Sequence, residues 1–140
     1  MRQDARAEID GHVPRVLVIG SELPEALRIL DQELATHVVR YVCCCAPTAA
    51  QNCQRLVAGP PTPVVVYFGG AGVWDRDRLS RIAAHLIPVF RERKGLLLVA
   101  VERGLGCVRT LFRAQGVEHE DVPVGTENVE WWEAVLQAAA

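Results

Sequence analysis

An α/β domain built on a parallel sheet, with helices on both faces, is the fold predicted by this sequence of 140 residues. Three observations predict it. Val16-Leu-Val-Ile19, Val64-Val-Val-Tyr-Phe68 and Leu96 to Val101 are continuous apolar runs rather than alternating ones, as strands covered on both faces require. Each run gives way to glycine or polar turn residues and then to a stretch with apolar side chains at helical spacing. Strand-like and helix-like stretches alternate to the end of the chain, which makes a right-handed, doubly wound sheet the economical topology.

Taken in order, residues 1–12 are polar and charged with no apolar face, so a flexible arm is expected there and one domain over residues 13–140. The first strand ends at Gly20 and Ser21. Pro24 then sits near a first helical turn, where its missing N–H costs nothing, and Leu23, Leu27, Leu30 and Leu34 follow on one face. Thr36 to Cys45 is rich in β-branched and aromatic residues, and its partial alternation predicts an edge strand. Pro47 breaks it. A short helix starts at Thr48 and passes through Leu56 and Val57 before the Gly59-Pro-Pro-Thr-Pro63 loop stops it.

The third strand, Val64 to Phe68, leads into Gly69-Gly-Ala-Gly72, where backbone freedom is selected, and Asp75 is placed to cap the next helix. Leu79, Ile82, Ala83, Leu86 and Phe90 form the apolar stripe of that helix. Arg91, Arg93 and Lys94 favour its C-terminal end, Pro88 is expected to bend or shorten it, and Gly95 ends it. Leu96 to Val101 has the character of a central strand. Gly104 to Gln115 reads as a weaker helix closed by Gly116, and Val117 to Val124 as a short final strand. Thr126 or Glu127 begins a last helix with Val129, Trp132, Val135 and Leu136 on one face and Trp131 well to the side. With the second strand at an edge, the expected order is the flavodoxin-like 2-1-3-4-5.

Composition narrows the function classes. Half the residues are hydrophobic, the net charge is −2 and no block of like charge occurs, so a nucleic-acid partner is not expected. The first residues lack the apolar core of a signal peptide, and no apolar stretch approaches the ~20 residues of a membrane span. A cytoplasmic protein without a membrane partner is the expectation. Five cysteines, three of them adjacent, make a complete disulfide framework implausible, so the thiols are read as reduced.

Cys43-Cys44-Cys45 with Cys53 raises a metal reading, which strand geometry opposes. Adjacent strand residues point to opposite faces, so only Cys43 and Cys45 can converge, and no Cys-x-x-Cys pair exists. Buried small hydrophobes are the preferred account. The spacing of Cys107 and His119 is not diagnostic of a nucleophile and base. Arg76, Arg78, Arg81, Arg91, Arg93 and Lys94 alternate with Asp75, Asp77 and Glu92, as on a solvated helix face. No metal and no cofactor are expected.

Arg15-Val-Leu-Val-Ile19 followed by Leu23-Pro-Glu-Ala-Leu-Arg-Ile-Leu30 resembles the first strand and helix of a response-regulator receiver domain. The Val64 to Phe68 strand with its glycine-bearing loop agrees, as does Gly116 leading through Asp121-Val-Pro-Val124 into a terminal helix. The resemblance runs from Pro14 to the C-terminus. Receivers transfer a phosphoryl group to an aspartate, which takes acidic oxygens for Mg²⁺, a carboxylate nucleophile, a hydroxyl and a lysine. The resemblance places the acidic pair on Gly20 and Ser21, leaving only Glu22. It places the phosphoacceptor on Phe68, the hydroxyl on Ala100 or Val101 and the lysine on Val122.

All four functions are thus replaced, and a degenerate pseudo-receiver is implied. The implied role is that of a non-enzymatic signalling module, regulatory or for assembly, not phosphorylated on aspartate, that docks to a protein partner or forms a homodimer. Trp131 lies on the surface that receivers commonly use for partners, formed by the last helix, the last strand and the preceding helix, and is either the candidate anchor there or packed against the preceding helix. The alternative is a small α/β domain that binds a nucleotide or other phosphate ligand through the loops at Gly20 and at Gly69, Gly70 and Gly72, where Trp74 could stack on a base or cover the pocket, although a lid on the sheet's edge is the preferred account of that side chain.

Overall fold

The computed structural model describes residues 15–30, 39–58, 65–70, 72–92 and 97–139. The expected N-terminal arm, Leu34, the start of the second strand at Thr36, the loop from Gly59 to Pro63, and Val64, Arg93, Lys94, Gly95 and Leu96 lie outside these residues.

Five strands alternate with helices: β1 (Val16–Gly20), α1 (Glu25–Ile29), β2 (Val39–Cys43), α2 (Ala49–Ala58), β3 (Val65–Phe68), α3 (Arg76–Glu92), β4 (Leu98–Glu102), α4 (Gly106–Ala114), β5 (Glu120–Val122) and α5 (Val129–Ala139). All neighbouring strands pair in parallel, in the order β2-β1-β3-β4-β5, which is the flavodoxin-like order expected from the edge character of β2. The three apolar runs become the three central strands. Apart from the half-buried Leu98 at the start of β4, they are buried residue after residue because helices cover both of their faces.

Strand alternation divides the core in two. Leu17, Ile19, Val66, Phe68, Val99 and Val101 face α2, α3 and α4, where Cys53, Val57, Leu79, Ile82, Leu86, Val108 and Phe112 meet them. Val16, Val18, Val65, Tyr67, Ala100 and Val122 face the other way, onto Ala26 and Leu27 of α1 and Trp132 and Leu136 of α5. Phe68 and Phe112 meet edge to face at 5.5 Å, as do Tyr67 and Trp132 at 4.8 Å.

Local signals are realised with some displacement. Asp75 closes a 3₁₀ turn, Val73–Asp75, and its Oδ2 accepts the Gly72 N–H at 3.0 Å immediately before α3 begins. α3 runs through Pro88 to Glu92 instead of stopping early. Pro88 and Ala84, whose carbonyl loses its donor, are both on the exposed side, where water can replace the missing bond. Gly116, at φ +71°, ends α4 as expected: its N–H donates to the Arg113 carbonyl and that of Val117 to the Phe112 carbonyl, the Schellman pattern. The last helix begins later than Thr126, because a 3₁₀ turn, Gly125–Asn128, precedes it.

Candidate functional site

Loops at the carboxyl ends of β1, β3 and β4 meet the start of α5 around a cleft of about 230 Å³, lined by Glu22, Pro24, Arg28, Gly70, Glu102 and Asn128 among others. Parallel register builds it. Ile19 stands beside Phe68 and Phe68 beside Val101, so Gly20 at the end of β1, Gly69 just past β3 and Glu102 at the end of β4 lie level with one another at the carboxyl edge of the sheet. Gly20 has no room for a side chain, since a Cβ there would lie 1.8 Å from the Gly69 carbonyl oxygen. The first and third loops are therefore in backbone contact.

That contact is hydrogen-bonded. The Gly70 carbonyl accepts the N–H of Ser21 at 3.2 Å, the N–H of Glu22 at 2.8 Å and the Ser21 hydroxyl at 3.3 Å. Gly70 reaches this position at φ +64°, in the left-handed region that glycine enters without strain. The remaining described amides of the glycine loop are also engaged. Gly69 donates to Ile19 at 3.1 Å, Gly70 to Glu102 Oε1 at 3.4 Å and Gly72 to Asp75 Oδ2 at 3.0 Å. Ala71 lies outside the described residues.

Beneath the cleft, Tyr67 donates its hydroxyl to Glu102 Oε2 at 2.8 Å and accepts from Asn128 Nδ2 at 3.3 Å, and Asn128 also donates to the Pro123 carbonyl at 3.0 Å. Burial, and then the Glu102 carboxylate, push the Tyr67 phenol far above its ordinary range, so it stays neutral and remains a donor. This network joins β3, β4 and the start of α5. No pattern in the sequence singles out Asn128.

The positions singled out in the sequence are distributed as follows. Gly20 ends β1 and Ser21 and Glu22 form the turn after it, with Glu22 exposed, and Glu22, Gly70 and Gly72 line the cleft, while Gly69 is buried beside it. Phe68 and Val101 turn into one core, Ala100 and Val122 into the other, and none of the four lines the cleft. Oxygen donors here do not match a Mg²⁺ site, which needs about six with one or two carboxylates free to bind. Glu102 is already tied to Tyr67 and Gly70, and the turn after β1 offers Glu22 alone. Among the described residues no group of three or more His, Cys, Asp or Glu is placed to hold a metal ion.

Trp131 is half-buried rather than a free anchor. Its ring lies 5.5 Å from that of Tyr67 and its Nε1–H donates to Glu120 Oε1 at 2.7 Å, so it closes α5 against β5. Trp74 is the open one, 89% exposed beyond the third loop. Cys43 and Cys45 converge as expected, but through the turn that follows β2 rather than along the strand, with their sulfurs 2.7 Å apart, while Cys44 and Cys53 enter the core. None of the described helices is long and apolar enough to cross a membrane. Comparison with protein-family models, with curated proteins and with solved structures finds no match to this chain.

Proposed function

We propose that this chain is a pseudo-receiver-like docking module that acts by binding a protein partner and takes no phosphoryl group on an aspartate. The observation that carries this reading is the Gly70 carbonyl, which occupies the three donors of the turn after β1. A phosphoryl-transfer centre needs those strand ends open, with carboxylates free to hold a metal and attack phosphorus. Here the ends of β1 and β3 are backbone pressed on backbone, and the nearest buried carboxylate, Glu102, is a structural acceptor. Without a charge change at this place nothing biases a two-state element, so the module works in one conformation.

Trp74 is the side chain best suited to anchor a partner, because a large, rigid aromatic held open to solvent gains most from being covered. Val124, 47% exposed, is the open apolar side chain among those that line the cleft itself. A phosphate or nucleotide ligand is the weaker reading. The described amides of the glycine loop already donate within the chain, and among the described residues the cleft presents Glu22, Glu25 and Glu102 against one cation, Arg28. An anion would meet carboxylates there.

Incubation of the full chain with a small phosphodonor and Mg²⁺, followed by intact mass measurement, tests this function. The expected spectrum is that of the unmodified protein. A stoichiometric acyl-phosphate adduct would overturn the reading.

A further inference from the structure

The edge strand β2 ends in a feature that the docking role does not use. In extended chain, residues two apart are about 6.6–6.8 Å apart at Cα, the outer limit of the ~4.4–6.8 Å that a disulfide spans. A turn shortens that separation after Cys43. The Cys44 N–H still pairs with the Gly20 carbonyl at 2.8 Å, but the Ala46 N–H folds back onto the Cys43 carbonyl at 3.2 Å, and the sulfurs of Cys43 and Cys45 come to 2.7 Å.

The five thiols differ sharply in environment. Cys44 and Cys53 are buried, which pushes their thiols up to about 11 and about 12 and leaves them protonated and inert. Cys43 moves the other way, because the Cys45 thiol and then the backbone N–H of Cys45 favour its thiolate. Cys45 is exposed, and Cys107 is exposed with the Arg76 carbonyl 3.8 Å from its sulfur. Cys43 also lines a cleft of about 470 Å³ together with Arg40, Asn52 and Arg55. Arg55 Nη2 donates to Asn52 Oδ1 at 2.9 Å, which holds that guanidinium at the cleft wall.

We infer that Cys43 and Cys45 form a thiol–disulfide exchange site whose substrate is a low-molecular-weight disulfide bearing carboxylates, which Arg40 and Arg55 hold beside Cys43. The Cys43 thiolate attacks one sulfur of the substrate, forming a mixed disulfide and releasing one substrate thiolate. That thiolate takes the Cys45 proton. Cys45 then attacks Cys43 Sγ, breaking the mixed disulfide and releasing the second substrate thiolate, which takes a proton from water. The two cysteines lose two electrons between them, and the substrate disulfide gains them to become two thiols. A disulfide in so small and exposed a ring is readily reversed by an added dithiol.

The test is to treat the reduced full-length chain with oxidised glutathione, which carries carboxylates, and in parallel with the neutral hydroxyethyl disulfide. Intact mass and fragmentation of the tryptic peptide 41–55 are then read. The expected product has lost two hydrogens, carries no adduct and maps to Cys43–Cys45. Cys45→Ser is expected to trap a stable mixed disulfide on Cys43, with Cys107 modified more slowly. Arg55→Ala is expected to slow the reaction with oxidised glutathione by roughly two- to fivefold, the size of an exposed charge contact, and to leave that with hydroxyethyl disulfide unchanged. Stable adducts on both Cys43 and Cys45 of the unaltered chain, a Cys44–Cys53 product, or modification of Cys107 at the rate of Cys43 would overturn the exchange site. Equal effects of Arg55→Ala on the two disulfides would overturn its preference for carboxylates. The unaltered chain gives the decisive result, so a folding defect in a variant leaves the inference testable.

Discussion

Gly20→Ala is the substitution that probes the contact between the first and third loops most sharply. The added Cβ would fall 1.8 Å from the Gly69 carbonyl oxygen and 3.0 Å from its carbon, where ordinary contact begins at 3.4 Å. Both atoms belong to the backbone, so no side chain can rotate away and the third loop must retreat. Retreat strains or breaks the bond from Gly69 N–H to the Ile19 carbonyl and those from Ser21 and Glu22 to the Gly70 carbonyl. Overpacking of this kind costs about 1–3 kcal/mol, and each lost bond about 1 kcal/mol. A loss of about 3–5 kcal/mol is expected, a large share of the ~5–15 kcal/mol available to a domain, with a fall in Tm of roughly 10–15 °C. Thermal and urea denaturation followed by circular dichroism measure it. Two other glycines separate contact from backbone conformation. At Gly104 nothing lies within 4 Å of a new Cβ, and alanine there should change stability by less than about 1 kcal/mol. At Gly116 the space is equally open but φ is +71°, so alanine should cost about 1–2 kcal/mol from the left-handed conformation alone. If Gly20→Ala melted with Gly104→Ala, the loops would not be in contact as described.

Three further outcomes follow from the same geometry. Tyr67→Phe removes the donor to Glu102 Oε2 and one acceptor of Asn128, and should lower stability by about 1–3 kcal/mol in urea denaturation; an unchanged midpoint would mean that the network does not join β3 to β4. Stability should fall as pH rises above the ordinary thiol value of 9.0, because the unfolded chain then releases the Cys53 proton that the folded chain keeps until about 12. Urea midpoints between pH 7 and 10.5 measure this, Cys53→Ala should flatten the slope, and a midpoint that rose with pH would contradict it. Trp74→Ala should leave the folding midpoint within about 0.5 kcal/mol, since the indole is 89% exposed, while weakening partner capture or self-association seen by light scattering; unchanged association would remove Trp74 as the anchor.

How far the sequence carried depends on the range of the interactions. The continuous runs at Val16, Val64 and Leu96 identified the central strands because burial on both faces leaves a local mark, and the mixed pattern of Val39–Cys43 identified an edge for the same reason. That Cys43 and Cys45 share a side was also legible, but the close approach of their sulfurs comes from the turn that follows Cys43, which the strand pattern did not show. The network under the cleft was not. Tyr67 and Glu102 are 35 residues apart and Tyr67 and Asn128 are 61 apart, and only the parallel register brings them together. Nor does any local pattern tell Trp131, which finds Glu120 across the α5–β5 junction, from Trp74, which stands 89% exposed. The resemblance puts the replaced phosphorylation functions on Phe68, Ala100, Val101 and Val122, whose side chains alternation divides between the two cores, and the cleft is made by the residues just beyond them.

Amide resonances of Ser21, Glu22 and Gly70 in a ¹⁵N-labelled chain, followed while Mg²⁺ and a small phosphodonor are added, report most directly on whether the turn after β1 is a closed junction. These N–H groups are held by the Gly70 carbonyl and by Glu102, so their shifts should stay where they are at every concentration. A saturable displacement of all three, with a new set of peaks for a modified form, would contradict the account.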